Sequence, residues 1–191
     1  WALDGMDWKF DMGLLEPELD RLEEHLNKGM DRIPQFRDVG IKRIICGPIT
    51  HTPDGNFLAG PAPGLKNFWM FCAASVGIAQ GGGAGKYMAQ WMTYGDADIN
   101  MLEFDPRRYL SWAHKDYAVA KSTDEYKRMY VTPLPNESLE AGRPIKSTPI
   151  YKKLQDQGAM YIDAFGWERP KWFAKNGVQE EYSFKRSNAF S

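Results

Sequence analysis

Apolar residues follow two spacings along this chain, and together they predict the mixed helices and strands of an α/β protein. Leu19, Leu22, Leu26 and Met30 recur at steps of three and four, which lines them along one helical stripe. Pro17 suits a first helical position, Glu18 and Asp20 put acids where the helix dipole favours them, and Gly29 with Pro34 marks the end. Ile41–Cys46 reads as a strand halted by Gly47-Pro48, and Phe57–Ala59 as a short one. Phe68–Ala74 is an unbroken apolar run, the pattern of a strand buried on both faces. Residues 1–13 alternate aromatic and charged side chains and are expected to form a strand and a loop.

The punctuation between these runs is equally informative. In Thr52-Pro-Asp-Gly55 the proline pre-sets its backbone angle, the aspartate can bond its own main chain, and the glycine takes a positive φ. Pro61-Ala-Pro-Gly64 is a second turn. From Ser75 to Gly85 a glycine-rich loop is expected, followed by a helix through Lys86–Met92 that Gly95 closes. Further along, the sequence predicts a helix from Tyr109 to Met129 and a Pro/Gly/Ser-rich connection from Thr132 to Pro149. A helix over Pro149–Gly158, a strand at Ala159–Ile162 and a loop at Gly166–Pro170 complete the expectation.

Composition narrows the function. Among 191 residues the formal net charge is −1, which gives no electrostatic reason to expect nucleic acid or an anionic membrane as partner. Lys171 beside Trp172 and Phe173 is too sparse a basic patch to change that. The longest apolar run is too short to span a bilayer, so no membrane role is expected. Cys46 and Cys72 both fall in apolar runs and are read as reduced core thiols. With no signal-peptide pattern, the expected location is the cytoplasm or the mitochondrial matrix.

The glycine segment between a strand and a helix is the strongest chemical signal. Such a junction gathers free N–H groups and the positive helix end, which suits an anion or a polarised carbonyl. It is not a phosphate loop of the Walker type: Gln80 stands at the first glycine position and Tyr87 follows Gly85-Lys86. A dinucleotide fingerprint fails as well, since Lys86 occupies its last glycine position. Two readings stay open on the residues alone: a ligand-contacting loop, or a tight crossing where small residues only permit close packing.

A resemblance favours the first. Thr52–Trp69 together with Ala74–Gly85 resembles the last flavin-binding segment of D-amino-acid-oxidase-type flavoproteins. Asp105-Pro-Arg-Arg-Tyr109 is similar to the start of the connecting domain in the dimethylglycine and sarcosine dehydrogenase family. Ser147–Tyr151 with Phe165–Pro170 resembles the opening of the aminomethyltransferase-like folate domain that follows it there. The resemblance implies that residues 1–100 are the C-terminal part of an FAD-dependent oxidoreductase domain, 101–145 a connecting segment, and 146–191 the start of a folate-binding domain. The chain is expected to be an internal piece of a longer protein, which alone neither holds FAD tightly nor turns over an amine.

It further implies that Ser75, Val76, Gly77, Ile78 and Ala79 run beside the flavin, with a helix starting near Gly82 pointing its N-terminus at the pyrimidine end of the ring. Donors preorganised there would stabilise the charge that hydride transfer brings. The implied reaction is oxidation of a small N-methylated amine by hydride transfer to FAD. The one-carbon unit passes to tetrahydrofolate, and the electrons go to an electron-transfer flavoprotein or to oxygen. One departure bears on the substrate: many relatives carry His where Val76 stands and Lys or Arg near Ala79, a cation for the substrate carboxylate, and both positions are apolar here. The alternative is a non-catalytic module, or an aminomethyltransferase relative without flavin chemistry.

Other polar residues carry less. His51, at a strand end before the first turn, is the one acid/base candidate, although a hydrogen-bonded structural histidine explains it as well. His25 is read as a solvated helix residue and His114 as structural. Arg107 and Arg108 are read as a salt-bridged helix start, Trp167 and Trp172 as core. No His, Cys or carboxylate pair has metal-ligand spacing, so no metal is expected.

Overall fold

The structure is a computed structural model that describes residues 9–11 and 13–189. Most of the expected N-terminal strand and loop therefore lies outside the described residues. Contacts divide the chain into two compact units, one up to Ile49 and one from Thr50 onward.

In the first unit the leucine stripe forms a short 3₁₀ turn, Leu19–Leu22, that leads into α1, Glu23–Arg32. Glu23 and Glu24 occupy its acidic first turn. Gly29 does not end the helix: its carbonyl accepts the Ile33 N–H at 2.9 Å, and the chain turns only before Pro34. The expected strand Ile41–Cys46 is not formed. Among the described residues only one of its carbonyls, that of Cys46, takes a main-chain N–H, from Leu15 at 2.9 Å, and a strand needs a continuous ladder to persist.

The second unit starts from a hairpin. β1, Leu58–Pro61, pairs antiparallel with β2, Trp69–Cys72, across the Pro61–Gly64 turn. The expectation of a strand buried on both faces is corrected here: Trp69 and Met70 are half-buried, while Phe71 and Cys72 are exposed. Cover therefore changes along the length of β2 and not from one of its faces to the other. Cys72 is thus an exposed free thiol and Cys46 a half-buried one, neither of them a core residue.

The glycine-rich loop is also corrected. The helix begins not near Gly82 but at Gly77, so α2, Gly77–Tyr94, contains the glycines. Its inward stripe of Ala84, Tyr87, Met88 and Trp91 packs on Phe57 and Ala59, and that apolar burial offsets the entropic cost of helical glycine. Phe57 stacks on Phe104 with ring centroids 4.5 Å apart, while Trp69 meets Trp91 edge-on at 5.5 Å. Gly95 ends the helix in the left-handed region, φ 81°, returning its N–H to the Trp91 carbonyl at 2.9 Å.

Beyond it, Pro106–Arg108 is a single 3₁₀ turn, capped by the Asp105 carboxylate on the Arg107 N–H at 2.8 Å. The long helix expected from Tyr109 begins later, as α3, Lys115–Arg128, because residues 109–113 continue as turns and His114 serves as its extended N-cap. The imidazole of His114 accepts the Tyr117 N–H at 3.4 Å. A one-and-a-half-turn helix, α4, Tyr151–Asp156, stands where a slightly longer one was expected.

The final loop expectation is overturned. Residues 167–173 form β4, Trp167–Phe173, antiparallel to β3, Ala159–Ala164. Phe165 and Gly166 join them with φ of 53° and 78°, the pair of positive angles that a two-residue hairpin turn requires. Pro170 is tolerated because it sits beside an irregularity in the ladder at Met160/Tyr161. Trp167 is 40% exposed rather than core; it lies 5.3 Å from the Lys146 ammonium, a contact that keeps an indole at the surface. Trp172 is half-buried.

Gly158, φ +87°, joins α4 to β3 with no room for a side chain: a Cβ would lie 2.4 Å from the Ala174 carbonyl oxygen. Backbone cannot yield there, because the Ala174 N–H also bonds the Gly158 carbonyl at 2.8 Å. Gly158→Ala is expected to destabilise the fold by roughly 2–4 kcal/mol, read as a lower unfolding midpoint. An unchanged midpoint would contradict this junction.

Candidate functional site

The Thr52–Gly55 turn organises the second unit. Thr52 is buried and donates from its hydroxyl to the Asn56 carbonyl at 2.7 Å, while the Asp54 carboxylate accepts the Asn56 N–H at 3.1 Å. That fixes Asp54 to face Arg108. The guanidinium donates Nε to one Asp54 oxygen at 2.7 Å and Nη2 to the other at 3.0 Å. It also donates to the carbonyls of Asn56 at 2.8 Å, Phe57 at 3.3 Å and Asp105 at 3.2 Å. Burial works against the Arg108 charge, but the hydrogen bond and charge of Asp54 outweigh it and hold the guanidinium above its ordinary pKa. Arg107 pairs with Asp105, so both arginines are salt-bridged at a helical turn.

Gly55 has φ +73°, and a Cβ there would sit 2.8 Å from a carboxylate oxygen of Glu125. The missing side chain makes room for that carboxylate, which reaches Nε2 of His51. Nδ1 of His51 lies 2.9 Å from the Ser75 hydroxyl, which in turn donates to the Thr50 carbonyl at 2.5 Å. The His51 side chain is 8% exposed and meets Tyr126 edge-on at 5.3 Å. Structure therefore joins two of the sequence candidates, His51 and Ser75, in one hydrogen-bonded chain.

The other candidates follow directly. Ala73, at φ 59°, breaks from β2, and Val76 precedes the first helical residue, Gly77. Val76 is 47% exposed and Ile78 is fully exposed. The Val76 carbonyl takes the N–H groups of Ala79 and Gln80 at 3.0 and 3.2 Å. No side chain caps this helix start, and no acid lies in its first turn. Its donor set therefore suits a partial negative charge, as an 18-residue helix would offer at its N-terminus. His25 is exposed on α1, as expected of a solvated residue.

Behind the turn lies a cavity of about 590 Å³, lined among others by Asp54, Tyr109, Trp112, Tyr117, Lys121 and Asp163. Lys121 is buried and bridges the Asp163 carboxylate and the Leu139 carbonyl, each at 2.8 Å. Lys146 stands 3.8 Å over the Trp112 ring; burial lowers its pKa, with the charge of Asp163 opposing. Burial, then the charge of Asp54, raises Tyr109. Sequence reasoning missed Tyr117, Lys121 and Glu125, although their four-residue spacing places them on one face of α3. Among the described residues no group of three or more His, Cys, Asp or Glu is placed to hold a metal ion. No helix among them is long and apolar enough to cross a membrane.

A mixed fold of helices and strands agrees with the class that comparison identifies, an FAD-dependent oxidoreductase region. A family model described as FAD dependent oxidoreductase matches residues 3–91, and one described as FAD dependent oxidoreductase central domain matches 94–148. Mitochondrial dimethylglycine dehydrogenase of Homo sapiens is 35% identical over the whole of this chain, which covers 22% of that protein. Mitochondrial sarcosine dehydrogenase of Mus musculus is 33% identical over 86% of this chain and 18% of its own length. The mitochondrial pyruvate dehydrogenase phosphatase regulatory subunit of Mus musculus is 29% identical over 83% of this chain and 18% of its own. The chain belongs to the FAD-dependent oxidoreductase family, among the relatives of dimethylglycine and sarcosine dehydrogenases. It spans about a fifth of the length of these relatives.

Burial, followed by the charges of Asp163 and Asp54, pushes the Tyr117 phenol up to about 12 from 10. A raised folded value means the folded chain holds a proton that the unfolded chain releases. The associated stability is complete below pH 10 and is lost as pH climbs towards about 12. Tyr117→Phe is expected to flatten the fall in stability across that window, measured by denaturant titration at a series of pH values. An unaltered slope would contradict the burial of this phenol.

Proposed function

We propose that this chain supplies one wall of the flavin site in an enzyme that oxidises a small N-methylated amine. The observation that carries the proposal is the start of α2: an uncapped, acid-free first turn, flanked by exposed apolar Val76 and Ile78, inside the stretch matched by the FAD-dependent oxidoreductase model. FAD, when bound, supplies the hydride acceptor. Ser75, Val76, Gly77, Ile78 and Ala79 line its site in this reading. The first-turn N–H groups donate to the electron-rich edge of the ring, and the Val76 and Ile78 side chains exclude water beside it. Neither Val76 nor Ala79 brings a positive charge to a substrate carboxylate, so residues outside 75–79 must hold one if the amine carries it.

In the whole protein, residues 1–100 complete the oxidoreductase domain, 101–145 connect, and 146–191 open a folate-binding domain where tetrahydrofolate takes up the one-carbon unit. Electrons leave to an electron-transfer flavoprotein or to oxygen, in the cytoplasm or the mitochondrial matrix. The relatives named for dimethylglycine and sarcosine support this reading. A second reading, a non-catalytic module, is favoured by the relative named as a regulatory subunit. Flavin absorbance of the full-length protein that bleaches anaerobically with an N-methylated amine supports the enzyme; a colourless full-length protein supports the module.

Ile78→Asp tests the wall itself. An acid in a first helical turn stabilises the helix by about 0.3–1 kcal/mol, so the fold is expected to hold. The carboxylate would oppose negative charge on the ring, and the rate of anaerobic flavin reduction in the full-length protein is expected to fall at least about tenfold. An unchanged rate would place the flavin elsewhere.

A further inference from the structure

His51 is buried, polar and hydrogen-bonded at both ring nitrogens, and no step of the proposed reaction uses it. The hydroxyl hydrogen of Ser75 goes to the Thr50 carbonyl at 2.5 Å, so Ser75 Oγ faces His51 Nδ1 as an acceptor, at 2.9 Å. Nδ1 therefore carries a hydrogen. Nε2 faces the Glu125 carboxylate. The ring is thus clamped from both sides, with no rotation that preserves both bonds.

The three residues come from three separate segments. Ser75 stands in the turn between β2 and α2, His51 leads into the Thr52–Gly55 turn, and Glu125 belongs to α3. Glu125 is held as well, because its carboxylate fills the space over Gly55 that any side chain there would claim. Ser75 lies in the stretch matched by the oxidoreductase model and Glu125 in the stretch matched by the central-domain model. Tyr117 and Lys121, on the same face of α3 as Glu125, line the 590 Å³ cavity, and Glu125 lines it too.

We propose that His51 is a positioning residue that couples α3 to the 73–76 turn through the chain Glu125–His51–Ser75. A shift of α3, such as filling the cavity beside it would cause, is passed to the start of α2. That this start is a flavin wall rests on the function proposed above; the coupling itself does not.

The test uses the full-length protein and amide hydrogen exchange, with Ser75→Ala, Glu125→Gln, the double variant, and each again in a His51→Gln background. Glu125→Gln is expected to speed exchange at residues 73–79 at least about tenfold, as much as Ser75→Ala does. The double variant should add nothing further, and in the His51→Gln background Glu125→Gln should leave 73–79 unchanged. Exchange across β3 and β4 monitors global unfolding. If Glu125→Gln raises that too, Glu125→Asp, which keeps the charge but shortens its reach, is read instead and should give the same local result. A response confined to α3 in both variants, or additive effects of Ser75→Ala and Glu125→Gln, would overturn the coupling. The flavin spectrum, recorded in parallel, separates the two ideas: coupled exchange with an unmoved spectrum upholds the relay and removes the flavin from this turn.

Discussion

The pairing of Arg108 with Asp54 is the constraint on which the second unit depends. The Arg108 side chain is 2% exposed, and a charge so deeply buried is tolerated only with a partner and with its remaining donors satisfied. Asp54 supplies the partner, and the carbonyls of Asp105, Asn56 and Phe57 accept further N–H groups of the guanidinium. Because these acceptors come from segments about fifty residues apart in sequence, one guanidinium ties the Thr52–Gly55 turn to the 3₁₀ turn at Pro106–Arg108. A lysine at this position has neither the planar fork nor enough donors to replace it.

Everything near the candidate site follows from that tie. With the turn fixed, β1 is set in place and Ala59 N–H reaches the Phe104 carbonyl at 2.8 Å. Gly60 comes so close to Trp91 that a Cβ would lie 2.8 Å from its ring, which brings α2 down onto the hairpin. On the other side of the turn, Gly55 admits the Glu125 carboxylate and thereby positions His51. The region matched by the oxidoreductase model and that matched by the central-domain model are thus joined by polar contacts around a four-residue turn, as well as by the apolar cluster of Phe57, Ala59, Ala84 and Met101.

Local chemistry made much of this legible in the sequence. Pro-Asp-Gly announced the turn, Gly95 the helix end, and Arg107-Arg108 a salt-bridged helical start, because each depends on backbone angles or charges of near neighbours. Elements that depend on distant partners were harder to read. Ile41–Cys46 has strand composition but lacks a ladder, and Gly166–Pro170 has loop composition but gains one from β3. The glycines of α2 read as a loop because intrinsic propensity disfavours helix there, whereas packing of Ala84, Tyr87 and Trp91 on β1 decides the outcome. At the site, His51 and Ser75 were both named from sequence, yet their link, and Glu125 as the third member, required the fold. The four-residue spacing of Tyr117, Lys121 and Glu125 was the available signal, hidden because polar stripes ordinarily face solvent.

The most direct measurement is a crystal structure of the full-length protein with FAD bound. The first-turn N–H groups of α2 at Gly77 and Ile78 should then lie about 3 Å from the carbonyl edge of the flavin ring, with the His51–Ser75 contact intact. A ring bound elsewhere, with another protein segment covering residues 75–79, would contradict the account.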